Sequence, residues 1–225
     1  MKKPYIKKID ERGNIKVWVV DGVYVRKNID HEFTNFGQHF RFKKIPKNEF
    51  WLDKESSPNE ENFFIDHLLL EYKLMAKGKN YGDALDEADK LEKKERKKSK
   101  LFVKIHKKGK KEVIKKIHKK LLKKYSGKIK IWSINGELVR DLFFIDFTEG
   151  GHDKVYKFVP ENEVWLDDDL ALRDRKFVLL HELHERNLMA KGLCYNDAHK
   201  SASRIEYFVR HNPTKFDELI KKELL

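Results

Sequence analysis

A single cysteine, Cys194, stands in a chain of 225 residues. That scarcity excludes an internal disulfide framework and any zinc finger built on cysteine pairs. Long apolar runs are missing as well. None approaches the roughly 18 residues that mark a membrane span. Met1-Lys2-Lys3-Pro4-Tyr5 has no apolar stretch of the kind that opens a secretory leader. Acidic excess is also lacking, since 50 Lys and Arg face 37 Asp and Glu, a formal charge of +13. What is present, 40% apolar and 12% aromatic residues, suffices for packed cores and excludes a wholly disordered chain. These features predict a soluble, cytoplasmic protein of one or two domains with no membrane partner.

The positive charge is local. Between Lys93 and Lys130 there are 19 Lys or Arg and two acids, Glu95 and Glu112. The rest of the chain is mildly acidic. Ile114, Ile117 and Leu121 recur at helical spacing inside this segment, with Gly109 as an interruption, so part of it is expected as an amphipathic helix. Arg96 is its only arginine. Such dominance of lysine favours non-specific attraction to phosphate over base reading, so nucleic acid or an acidic partner is one expectation. A solvated helix face is the other.

The flanking blocks are copies of one another. Sliding the chain by 114 residues aligns 15–92 with 129–206 without a gap, with 30 identities in 78 positions. Pro46, Asn48, Glu49, Trp51, Leu52 and Asp53 meet Pro160, Asn162, Glu163, Trp165, Leu166 and Asp167. Leu74 to Gly78 recurs unchanged as Leu188 to Gly192. The expected organisation is a tandem pair, 1–92 and 129–225, joined by a lysine-rich helical linker, 93–128. In each copy a strand carries Trp18 or Trp132 into Asp21-Gly22 or Asn135-Gly136, read as a hairpin turn. A second strand through Val25 or Val139 follows, then an apolar strand ending at Asp53 or Asp167. Helices are expected at about 61–77 and 175–191, with Gly78 or Gly192 past their ends, and again from Tyr81 or Tyr195. Each copy is thus predicted as a small antiparallel sheet with a helical hairpin, class α+β.

The second copy carries a polar constellation. His181, Glu182 and Glu185 form H-E-x-x-E. At about 100° per residue, His181 and Glu185 share a stripe that also holds Phe177, Val178, Leu188 and Met189. A buried His and Glu must be satisfied by each other, by a partner or by a metal. On the next helix Tyr195, His199, Ala202 and Glu206 form one stripe, and the small Ala198 and Ala202 permit close approach. If the stripes face, His181, Glu185, His199 and Glu206 converge as ligands for a divalent metal, zinc foremost, with iron or manganese also suited. Glu182, beside the first ligand, is then placed to act as general base.

The first copy acts as an internal control. It keeps His67, Glu71, Tyr81 and Glu92, but has Leu68, Leu70 and Leu85 where the second has Glu182, His184 and His199. Two readings stay open. In one, the first copy is degenerate and the second works. In the other, both His–Glu pairs are core hydrogen bonds and His199 is incidental. Among weaker candidates, His152 follows Gly150-Gly151 and can approach the site. Asp167-Asp168-Asp169 can cap the helix that follows. The four tryptophans are read as core packing.

Trp165-Leu166-Asp167-Asp168-Asp169, Leu180-His181-Glu182-x-x-Glu185-Arg186 and Leu188-Met189-x-x-Gly192-x-x-Tyr195-x-x-Ala198-His199 together resemble a group of uncharacterised phage and prokaryotic proteins that look like small zincin metallopeptidases. The resemblance implies His181 as a zinc ligand, Glu182 as the base and a peptide bond as substrate. Zincins carry a second histidine where this chain has Glu185. The sequence therefore supports a metal-dependent hydrolase with one site in the second copy. Its rival is a non-enzymatic binding protein acting through the basic segment.

Overall fold

The computed structural model describes residues 4–56 and 59–225; the stretch 1–3 considered above for a leader lies outside them. The chain divides into two units, one ending at Lys107 and the other beginning at Lys108. Both are α+β, and each is a four-stranded sheet followed by helices. The first runs β1 (Tyr5–Arg12), β2 (Ile15–Val20), α1 (Gly22–Asn28), β3 (Phe36–Gln38), β4 (Glu49–Asp53), α2 (Glu61–Ala76), α3 (Tyr81–Arg96) and α4 (Lys100–Ile105). The second runs α5 (Lys110–Ile117), β5 (His118–Leu121), β6 (Lys130–Ile134), α6 (Gly136–Leu142), β7 (Gly150–His152), β8 (Glu163–Asp167), α7 (Arg175–Ala190), α8 (Tyr195–His211) and α9 (Phe216–Glu223). Among the described residues no helix is long and apolar enough to cross a membrane.

The sheets are mixed, not antiparallel as expected. Their orders are β1-β2-β4-β3 and β5-β6-β8-β7. The central pairs β2–β4 and β6–β8 are parallel, with Trp18 opposite Trp51 and Trp132 opposite Trp165. The reason lies at Asp21-Gly22 and Asn135-Gly136, which start helices rather than hairpins. The Asp21 side chain accepts from the Tyr24 N–H and that of Asn135 from the Leu138 N–H, satisfying helix donors that would otherwise be orphaned. Val25 and Val139 therefore lie on α1 and α6, and the chain must cross over before it pairs again.

Glycine at these positions answers a close approach. A Cβ on Gly22 would lie 1.7 Å from Asp53 Oδ2, and one on Gly136 2.0 Å from Asp167 Oδ2. Each carboxylate is buried and clamped, Asp53 by Arg26 at 2.8 Å and Asp167 by Arg140 at 2.6 Å. Asp167 is thus no helix cap; Asp174 precedes α7, without a side-chain capping bond.

The segment read as a helical linker is divided between the two units, and Gly109 does interrupt it, between α4 and α5. It supplies α4 to the first unit, and α5 and β5 to the second, where β5 is an edge strand antiparallel to β6. Ile117 ends α5 fully buried, and His118 stacks on Trp132 and bonds Glu163 at 2.8 Å. Long-range packing thus draws the last part of the segment into the sheet.

The helical hairpins form where expected. In the second unit Leu179, Leu180 and Leu183 of α7 bury against Ile131, Val164 and Leu166 of the sheet, with Val209, Phe216 and Ile220 completing the core. Each such side chain contributes about 1.5–3 kcal/mol of transfer free energy. Ala198 and Ala202 are fully buried and let α8 lie close to α7.

Candidate metal centre

Three donors converge where α7 meets α8. His199 Nδ1 lies 2.7 Å from Glu185 Oε2 and 3.3 Å from His181 Nε2, and His181 Nε2 lies 3.6 Å from Glu185 Oε2. Zinc–nitrogen bonds of about 2.0–2.1 Å at tetrahedral angles would separate donor atoms by about 3.3 Å. The 3.3 and 3.6 Å separations match that spacing, the 2.7 Å contact is a hydrogen bond that an ion would have to open, and the donor types, two imidazoles and a carboxylate, suit such an ion. The expected ligands His181, Glu185 and His199 are thus brought together.

Glu206, expected as a fourth ligand, is not among them. Its Oε2 is 2.8 Å from His181 Nδ1, on the far side of the ring from the trio. In that contact Nδ1 donates to the carboxylate, which leaves Nε2 facing His199 and Glu185. Glu206 is held in turn by Arg210 Nε at 2.9 Å, and Arg210 Nη1 reaches Asp174 at 2.7 Å. Burial opposes ionisation of Glu206, but His181 and Arg210 outweigh it and hold its pKa down to about 2.

A second buried group orients Glu185 from the sheet. His152, fully buried at the end of edge strand β7, lies with Nε2 3.0 Å from Glu185 Oε1. Its Nδ1 accepts the Lys154 backbone N–H at 3.2 Å, so Nε2 carries the proton and donates. His152 is therefore a positioning residue for Glu185. Burial works against charge on Glu185, yet hydrogen bonds from His152 and His199, with His181 nearby, overcome it and hold the carboxyl far below the usual range. Burial likewise opposes charge on His181, and Glu185 with Glu206 raises its pKa well above the ordinary histidine value.

Glu182 differs from its neighbours. It is buried on α7 and, among the described residues, no hydrogen bond or ion pair reaches its carboxylate. Burial pushes its pKa up to about 8; His181 lowers it, and the nearby carboxylates of Glu185, Glu206 and Glu149 raise it. A Cβ on Gly150 of β7 would lie 3.0 Å from Glu182 Oε1, so the bare backbone there leaves room for this side chain. Glu182 and the trio line one cleft of about 450 Å³, walled by Phe144, Tyr156 and Tyr195. His184 turns away from it. Its Nδ1 donates to the Glu223 carboxylate at 2.7 Å, which leaves Nε2 to accept from Ser201 Oγ at 2.9 Å, tying α9 to α7.

The first unit repeats the scaffold without the cleft residues. His67 Nδ1 bonds Glu92 at 2.8 Å, Arg96 bonds Glu92 at 2.7 Å and Glu60 at 2.8 Å, and His67 Nε2 is 3.6 Å from Glu71. Gln38 stands where the second unit has His152, and its side-chain amide donates to Glu71. The relay acid–Arg–Glu–His is thus common to both units. Glu182 and His199 belong to the second alone. Sequence reasoning missed Arg96 and Arg210, although they match at the same 114-residue offset four positions past Glu92 and Glu206. Comparison of the chain with protein-family models, curated proteins and solved structures finds no match in any of the three.

Proposed function

We propose that the second unit holds one divalent metal ion, zinc by preference, on His181 Nε2, His199 Nδ1 and Glu185, and acts as a metal-dependent hydrolase. The observation that carries this reading is the convergence of those donors in the wall of a cleft that also receives the Glu182 carboxylate. A bound ion would supply Lewis-acid polarisation and acidify a coordinated water to near neutrality. Glu182 accepts a proton at its carboxylate. Its freedom from protein hydrogen bonds and its position beside the donors suit it to that work. His152 and Glu206 hold the ligands in register. The aromatic walls give an extended or side-chain substrate an apolar surface. Peptide hydrolysis is the reaction class implied by the zincin resemblance.

The test is elemental analysis of untagged protein beside His181→Ala, His199→Ala and Glu182→Gln, followed by a peptidase and esterase screen. About one equivalent of metal is expected in the wild type and in Glu182→Gln, and none in the histidine variants. Turnover is expected in the wild type and lost in Glu182→Gln. Failure of the wild type to take up zinc, manganese or iron would overturn the proposal.

A further inference from the structure

We propose that the lysine-rich edge of the second unit binds the phosphate backbone of nucleic acid without reading its sequence. Helix α5, strand β5, the 3-10 turn at Lys123–Tyr125 and the start of β6 follow one another along this edge. From Lys110 to Lys130 there are ten lysines, all exposed, and one acid, Glu112. Only Lys119 pairs with a carboxylate among the described residues, that of Asp168. On α5, Val113 and Ile117 are buried, which turns Lys111 and Lys115 to solvent.

One or two lysines suffice to protect an edge strand from pairing with another chain. Ten, almost all without a carboxylate partner, repel one another, and a polyanion would relieve that repulsion. The chemistry of the edge selects among polyanions. An anionic membrane is gripped by helices that keep a broad exposed apolar face, whereas on α5 Val113 and Ile117 are buried and Ile114 is partly buried. Protein interfaces are anchored by aromatic residues. The one Tyr of this stretch, Tyr125, packs edge-on against Phe216 within the unit. The same lack of free aromatics disfavours stacking on unpaired bases. No arginine is present to fork onto guanine. What remains is a row of point charges suited to the backbone of a duplex. In the order β5-β6-β8-β7 this edge lies opposite the strand that lines the cleft, about 14 Å away at ordinary strand spacing. Binding here is independent of the metal centre.

The experiment is fluorescence anisotropy of the full chain with an end-labelled DNA duplex of about 20 base pairs, in salt from about 50 to 200 mM. If four lysines meet phosphates, affinity should fall roughly a hundredfold over that range. Lys111→Glu/Lys115→Glu is expected to weaken binding about tenfold or more and to flatten the salt slope. Lys200→Glu/Lys221→Glu, the same change in net charge on exposed lysines elsewhere in the unit, should change it less than about threefold. A chelator should have no effect, so failure of the hydrolase reading leaves this one intact. Equal weakening by both pairs, absence of binding, or equal competition by polyglutamate or by phosphatidylserine vesicles would overturn the proposal.

Discussion

His181 Nε2 and His199 Nδ1 face one another across 3.3 Å, from adjacent helices, with a carboxylate oxygen of Glu185 beside both. The far nitrogen of His181 is committed to Glu206, so the two groups act on opposite sides of one ring. Glu206→Gln is therefore expected to weaken zinc binding by about 10–100-fold without abolishing it, as loss of an outer-shell partner does. His181→Ala should abolish it. Calorimetric titration with zinc separates the two, and equal loss in both variants would make Glu206 a ligand.

The first unit shows what can replace His152. Gln38 occupies the equivalent place and donates to Glu71. His152→Gln should therefore keep the second unit folded and metal-competent. His152→Ala leaves one oxygen of a buried carboxylate without its donor and should destabilise by about 1–3 kcal/mol. Urea unfolding of both variants, with metal content measured on each, checks this.

His67 Nε2 is buried without a hydrogen-bond partner, 3.6 Å from Glu71, the separation also found between His181 and Glu185. Only the third donor is missing. Leu85→His supplies it at the position equivalent to His199. We expect a second equivalent of zinc in that variant, read by elemental analysis. A stoichiometry unchanged from wild type would show that the third donor alone does not complete the set.

Gly136→Ala forces a methyl group into the Asp167 carboxylate, which Arg140 and buried surroundings prevent from moving. A loss of about 1–3 kcal/mol is expected, as for an overpacked core position. Gly22→Ala should do the same through Asp53. Alanine at Gly127, where a Cβ meets nothing within 4 Å, is the matched control. Thermal unfolding followed by circular dichroism measures all three.

Burial works against charge on His67, but Glu71 and Glu92 more than offset it and raise its pKa to about 9. A histidine whose folded pKa exceeds its unfolded value of about 6.5 stabilises fully below that value. The contribution is lost as pH rises through about 9. It is on the order of 3 kcal/mol. The urea midpoint of the first unit should thus fall between about pH 6.5 and pH 9, and His67→Gln should lack that slope. A slope preserved in the variant would assign it to another group.

The amino-acid order alone carries what short-range geometry fixes. The 114-residue duplication, the helices ending before Gly78 and Gly192, and the shared stripe of His181 and Glu185 follow from periods of 3.6 residues and from local caps. Both glycines do adopt positive φ, +89° and +98°. Asp21-Gly22 misled because the dipeptide serves equally as a hairpin turn or a helix start, and the choice was made by Asp53, thirty-one residues away. The lysine-rich segment is helical through Ile114 and Ile117, as its spacing implies, but edge pairing of His118–Leu121 with β6 overrode the pattern at Leu121.

The sequence by itself determined the repeat, the helical hairpins and the residues from which a centre can be made, because helical spacing sets which side chains share a face. Only the tertiary structure decided how those faces meet. The rotation of α8 against α7, set by the buried Ala198 and Ala202, turned His199 toward His181 and set Glu206 behind the ring. The seating of β7 beside α7 brought His152 onto Glu185. Such contacts join residues that no local period relates, and they form only when distant segments bury their apolar faces together.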